Sequence, residues 1–123
     1  MRVYDPLLIE PGELRHSIQI QKTSATRDSA GQPIPAWDVV LEARAKIEST
    51  NSRTFRMSFS DNALASQSTD CITLRWPGAS IVIMPGMRVV FGDNAYSVEA
   101  VDNVLRRNRK LVLACLSIEQ DSN

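Results

Sequence analysis

"AWDVVLEARAKIES", residues 36 to 49, has the length of a short helix or of a long strand, and the fold turns on which it is. Trp37, Val39, Leu41, Ala43, Ala45 and Ile47 fall in one alternating phase, and Asp38, Glu42, Arg44, Lys46 and Glu48 fall in the other. A period of 3.6 scatters those charges through the apolar stripe, whereas a period of two sends them to opposite faces of a pleated strand. The stretch is therefore predicted to be a half-buried strand with Trp37, Val39, Leu41 and Ile47 inward.

The same alternation returns on both sides of it. Upstream, Leu14, His16, Ile18 and Ile20 share a phase against Arg15, Ser17, Gln19 and Gln21, and the intervening "RDSAGQPIP" (residues 27 to 35) is a turn-rich connector, which predicts a hairpin. Downstream, "CITLRW" (71 to 76) groups Ile72, Leu74 and Trp76 before the stop at Pro77-Gly78. Two short strands follow around Gly92-Asp93-Asn94, a strong hairpin signal, with Val89, Phe91, Tyr96 and Val98 assigned to the core. After the turn "DNVLRRNRK" (102 to 110), "LVLACLSIE" (111 to 119) forms the last strand, with Leu111, Leu113 and Cys115 inward and Val112, Ala114 and Leu116 on the other face. The prediction is an all-β fold, a small closed or partly open antiparallel β-barrel of about six strands, with a long insertion after the second strand that is partly helical or disordered.

A length of 123 residues with 43% hydrophobic content fits one domain. Its expected divisions are an extended arm at 1 to 11, a barrel at 12 to 119 interrupted at about 50 to 70, and a flexible tail at 120 to 123. Fourteen Lys and Arg balance fourteen Asp and Glu, and such neutrality disfavours a protein held to nucleic acid by phosphate neutralisation. Basic character is only local, in Arg44, Lys46, Arg53 and Arg56 and again in Arg106, Arg107, Arg109 and Lys110.

Cys71 and Cys115 show no CxxC spacing and have no histidine companion, so neither a zinc site nor a redox pair is expected, and both are read as free thiols. No cofactor is expected either. The chain shows no signal-peptide pattern and no apolar run long enough to cross a bilayer, so it reads as cytosolic and soluble. GxSxG, HExxH, GxxxxGK[ST] and GxGxxG do not occur. The lone His16 lies on the inward phase of a strand and is read as a packed, hydrogen-bonded core residue. Asp93 is explained by its tight turn, and Trp37 and Trp76 by core packing rather than base stacking. No catalytic residue is assigned.

Three segments are left to carry function. In "TNSRTFRMSFSDNALASQSTD" (50 to 70), Asn51 or Ser52 can cap a helix bearing Phe55 and Phe59 at i and i+4, although the serines, Asp61 and Asn62 make it weak in isolation and predict ordering on a partner. Phe55, Met57 and Phe59 must be covered, either by their own barrel or by a neighbour's. The flanking Arg53 and Arg56 favour the neighbour, and with Leu64 these residues form the predicted interface with a neighbouring subunit or a ring above it. Tyr4, Leu7, Leu8 and Ile9, around Pro6 and before Pro11, are the predicted arm contacts. Arg106, Arg107, Arg109 and Lys110 are either a solvated hairpin tip or, if repeated around a ring, a lumenal surface facing DNA.

"PGELRHSIQIQ" (11 to 21), "GQPIPAWDVVLEARAKIES" (31 to 49), "GMRVVFGDNAYSVEAV" (86 to 101) and "RNRKLVLACLSIE" (107 to 119) resemble, in order and spacing, the phage head-tail joining family of small head-closure and head-tail adaptor proteins. The resemblance implies a small β-barrel with a long loop after the second strand. It also implies a ring beneath the portal and its adaptor that closes the DNA-filled head and receives the tail, without catalysis. The partners so implied are copies of the same chain, the portal or adaptor ring and a tail terminator or completion protein, with packaged DNA met only indirectly in the channel and no membrane. The place implied is the neck of the virion, after synthesis in the host cytoplasm. At 50 to 68 the sequence departs from relatives, which carry a more Glu/Gln/Ala-rich helical stretch after Gly-Arg. A tail-completion or tail-terminator ring protein and a small nucleic-acid-binding barrel are the alternative readings.

Overall fold

The computed structural model describes residues 5–27, 30–31 and 33–118. Six antiparallel strands close into a barrel: β1 (His16–Arg27), β2 (Pro33–Ser49), β3 (Asp70–Arg75), β4 (Arg88–Phe91), β5 (Asn94–Asn103) and β6 (Lys110–Ile118), in the spatial order β1-β2-β3-β6-β5-β4 and back to β1. Closure leaves no sheet edge around the barrel itself. The hairpin of β1 and β2 runs past the strands that flank it, because β4 meets β1 only at Gln19–Gln21 and β3 meets β2 only at Ala45–Ser49. Between β4 and β5 the turn is two residues, with Gly92 at its first position in the left-handed region at φ 58°, where a side chain would be strained.

Alternation places Ile18, Ile20, Ala45, Ile72, Leu74, Val89, Tyr96, Val98, Leu111, Leu113 and Cys115 in one interior cluster, with Leu41, Ile47, Trp76 and Phe91 half-buried against it. The loop between β3 and β4 adds Ile83 and Met87.

Two bulges break the strict period of two. Ile20 faces Leu41 but Gln21 faces Val39, so Val40 is an extra residue in β2 and the phase inverts before it. Val40 therefore packs on the core while Val39, predicted inward, is 49% exposed. Trp37 inverts with it: it lies outside the interior cluster, with the Arg88 guanidinium 4.1 Å over its ring and Arg88 Nε donating to Gln21 at 2.9 Å. In β5, Val98 faces Cys115 and Ala100 faces Ala114, which makes Glu99 the extra residue and turns Val98 inward and Ala100 outward.

Two further core assignments are corrected at the start of the chain. Leu14 precedes β1 and belongs to neither cluster, and His16 is half-buried, its ring tilted against Phe91 with centroids 4.8 Å apart. Both sit where the barrel ends, so fewer strands surround them than surround Ile18 and Ile20.

Candidate interaction surface

The apolar run of β6 is buried on both sides. While Leu111, Leu113 and Cys115 face the interior, Val112 and Ala114 face outward into a second cluster with Cys71, Ala100 and Val104. The insertion covers that outer face. Ser52 caps helix α1 (Arg53–Phe59), its hydroxyl accepting from the Phe55 amide at 3.1 Å, and Asn62 caps a following 3-10 turn (Ala63–Ala65) by accepting from the Leu64 amide at 2.9 Å. With both caps made, about two turns of weak helix former are held in place, and Phe59 and Ala65 are driven into the outer cluster.

Phe59 is 3% exposed, and Phe55 is half-buried beside it with ring centroids 5.4 Å apart. Both are packed on their own barrel, which corrects the expectation that they cover a neighbour's and that the segment needs a partner to order. The reason is the outward apolar stripe Cys71–Ala100–Val112–Ala114, which the aromatics remove from water. Arg53, Arg56, Met57 and Leu64 remain on the surface, Met57 at 58% exposure. The Arg56 guanidinium donates to the Asn51 carbonyl and so ties the helix to the turn before it.

The N-terminal segment is likewise laid on the barrel. Leu7 packs on the outer cluster, its amide donating to Asp5 Oδ1 at 2.9 Å, while Ile9 is half-buried and Leu8 exposed. Tyr4 lies outside the described residues. Glu13 fixes the segment: Lys46 Nζ donates to its Oε1 at 3.0 Å and the Glu10 amide donates to its Oε2 at 2.8 Å. Burial pushes the Glu13 carboxyl up, but the Glu10 amide and the Lys46 ammonium outweigh it and hold the group below the ordinary carboxylate value.

Of the four basic residues grouped near the end, three lie on the surface. Arg106, Arg107 and Arg109 are exposed, but Lys110 is 5% exposed and opens β6 beneath the insertion, which corrects its assignment to a DNA-facing surface. Its pairing with Arg75 brings it into the sheet, where the strand geometry rather than its charge decides its position. The turn before it is unusual. Leu105, Arg106 and Asn108 all have φ between 53° and 56°, and the turn is clasped by Asn103 Nδ2 donating to Asn108 Oδ1 at 2.7 Å and the Asn108 amide donating to Asn103 Oδ1 at 3.1 Å.

Leu105, at 61% exposure, was not singled out in the sequence. The available signal was an apolar pair, Val104-Leu105, directly before two arginines in a turn: Val104 is buried and Leu105 is not. Val82 and Met84, in the loop before β4, are exposed large apolar residues of the same unflagged kind.

Among the described residues there is no group of three or more His, Cys, Asp or Glu side chains placed to hold a metal ion. Burial pushes the Cys71 thiol up to about 12, with the Glu48 carboxylate adding to it, and burial raises Cys115 further still. Both are poor nucleophiles near neutral pH.

The barrel has solved counterparts. It is similar to protein SF1141 from Shigella flexneri 2a, known from a solution structure, with a TM-score of 0.64 and 20% identity over 92% of this chain and 100% of that one. It is also similar to a chain in the virion of a native gene transfer agent particle, with a TM-score of 0.56 and 17% identity over 87% of this chain and 97% of that one. At these identities the likeness shows the fold. No curated protein matches. The sequence profile of the phage head completion proteins matches residues 9–118, the whole barrel together with the insertion that covers it. By that match the chain belongs to the phage head completion protein family, a family of virion structural proteins and not of enzymes.

Proposed function

We propose that this protein forms a ring of identical copies at the head-tail joint, beneath the portal or adaptor, where it closes the DNA-filled head and offers the tail its attachment surface. The observation that carries the reading is family membership combined with a closed barrel that leaves Leu8, Met57, Leu64, Val82, Met84 and Leu105 exposed. Around the barrel itself no edge is free, so association there falls to side chains on its loops and its covering layer, while the β1–β2 hairpin beyond Gln21 and before Ala45 keeps one unpaired edge on each strand. The similarity to a gene transfer agent virion chain supports a place in such a particle.

Because the insertion is already folded on its own subunit, each copy presents a finished surface, and little ordering opposes assembly. A cyclic arrangement then needs only weak contacts between neighbours that the head ring templates. The partners in this reading are copies of the chain, the portal or adaptor ring and a tail terminator or completion protein. Packaged DNA is met only in the channel.

Particles from an infection lacking the protein provide the test. Purified chain added to filled, tail-less heads should restore joining to free tails, and antibody should then mark isolated heads before tails are added. Labelling of isolated tails and not of heads overturns the head-side placement. A stable ring formed by the pure protein, seen by size exclusion with light scattering, overturns templating by the head.

A further inference from the structure

A cleft of about 290 Å³ brings together two segments about fifty residues apart in sequence. It is lined by Met57 and Ser58 of α1, by Asp102, Val104 and Leu105, and by Pro6 and Lys110. Its two exposed large apolar side chains are Met57, at 58%, and Leu105, at 61%. Beside Leu105 in the chain stand Arg106, Arg107 and Arg109, all exposed.

The turn that presents Leu105 is built against its own preferences. A solvated tip with left-handed positions is ordinarily made with glycine or asparagine, which carry little or no strain there. Here a leucine and an arginine hold the left-handed region in succession, and the Asn103–Asn108 clasp fixes them. Strain of this kind persists only where surrounding contacts such as this clasp over-determine it, and it clusters at binding sites. Its chemistry also selects among partners. A phosphate backbone asks for cations and hydroxyls and gains nothing from an exposed leucine beside a methionine, whereas a protein segment gains from both the apolar pair and the exposed arginines that follow Leu105 in the chain.

We propose that this groove receives an acidic segment of a partner protein, which seats one aliphatic side chain between Met57 and Leu105 and lays carboxylates on Arg106, Arg107 and Arg109. The occupant follows from charge complementarity: Lys110 lines the cleft against its one carboxylate, Asp102, and three exposed arginines follow Leu105 within four residues of chain, so carboxylates are attracted locally on a molecule of zero formal net charge. Only the partner's place in a virion rests on the function proposed above. Binding in the groove is a property of the chain alone.

The test uses the full chain with labelled methyl groups, titrated with a short synthetic peptide of glutamates carrying two leucines one helical turn apart. The Met57 and Leu105 methyl signals should move and saturate. Leu105→Ser and Met57→Ser should each weaken the peptide roughly tenfold with the melting temperature unchanged, as expected for losing one buried aliphatic contact. The same peptide with serines for leucines should bind no more tightly to the wild type than to those variants. The proposal is overturned if a DNA duplex moves these signals and the peptide does not, or if raising the protein concentration alone moves them, which makes a second copy the occupant. Binding that appears only after residues 1–4 are removed overturns it too, since the chain's own start then fills the groove. Joining is read separately: heads that accept tails normally with Met57 and Leu105 both replaced sink the groove's use at the joint and leave the ring proposal standing.

Discussion

Strand β6 belongs to two apolar clusters at once, and the two are built differently. Inward, Leu111, Leu113 and Cys115 meet side chains from all six strands, each held by ladders on both sides. Outward, Val112 and Ala114 meet a seven-residue helix, one 3-10 turn and Leu7. The inner cluster is a consequence of closing a sheet. The outer one depends on a short segment staying where its caps and two aromatics place it. Each contains one cysteine, Cys115 inside and Cys71 outside, so thiol labelling reads them apart.

The largest effect is expected inside. Leu113 is fully buried, and Leu113→Ala removes a side chain surrounded by strands that cannot collapse around the gap, at a cost of about 4 kcal/mol. Chemical denaturation should show the loss as a lower midpoint with an unchanged slope, and both thiols should become reactive together as the whole barrel opens.

Phe59→Ala should cost somewhat less, about 3 kcal/mol, because the covering layer can settle onto Val112 and Ala114. The sharper readout is selective. Cys71 should react with a thiol reagent much faster than in the wild type while Cys115 stays protected, since the barrel beneath is intact. Equal acceleration of both would show that the two clusters unfold as one, and that the outer layer is no separate unit. Ser52→Ala deletes the cap accepted by the Phe55 amide and should cost about 1 kcal/mol, with a smaller but still selective rise in Cys71 labelling.

Most of the inner cluster was legible because a closed barrel needs alternation and the sequence supplies it in every strand. What was not legible lies where alternation leaves a choice. Asp38-Val39-Val40-Leu41 offers two adjacent valines, either of which can face inward, so nothing in the residues shows that the strand bulges at Val40 and sends Val39 and Trp37 outward. Lys110 reads as the fourth member of a basic turn, and only its ladder with Arg75 puts it in the sheet. The outer cluster did leave a sign. "LVLACL" is apolar at consecutive positions, too much for a strand with one wet face, and a cover over Val112 and Ala114 was implied by it. The aromatics of the insertion were correctly marked as needing cover. Their own barrel was the nearer candidate, and the stripe of Cys71, Ala100, Val112 and Ala114 that makes it so comes from three strands distant in sequence. The groove between Met57 and Leu105 is beyond sequence reading for the same reason, because only the fold joins its two sides.

The smallest expected effect tests whether the N-terminal segment belongs to the outer layer energetically as it does geometrically. Glu13 joins that segment to β2 through Lys46, and Leu7, six residues earlier, reaches the outer cluster. The folded-state carboxyl lies below its unfolded value of 4.5, so its stabilisation is complete near neutral pH and is lost as pH falls from there through the lower folded value. For Lys46, burial pulls the ammonium down, but Glu13 and Glu48 outweigh it and raise the group above 10.5, so its share disappears only in strong alkali. Glu13→Gln should therefore cost less than about 1 kcal/mol near neutral pH, as partly exposed pairs do, and the difference from wild type should shrink on acidification below about pH 4. A deficit that is the same in acid as at neutral pH would trace the loss to side-chain shape and not to charge. If the segment is part of the outer layer, the variant also labels slightly faster at Cys71 and no faster at Cys115; unchanged labelling at both thiols would mean that Leu7 rests on the cluster without helping to close it.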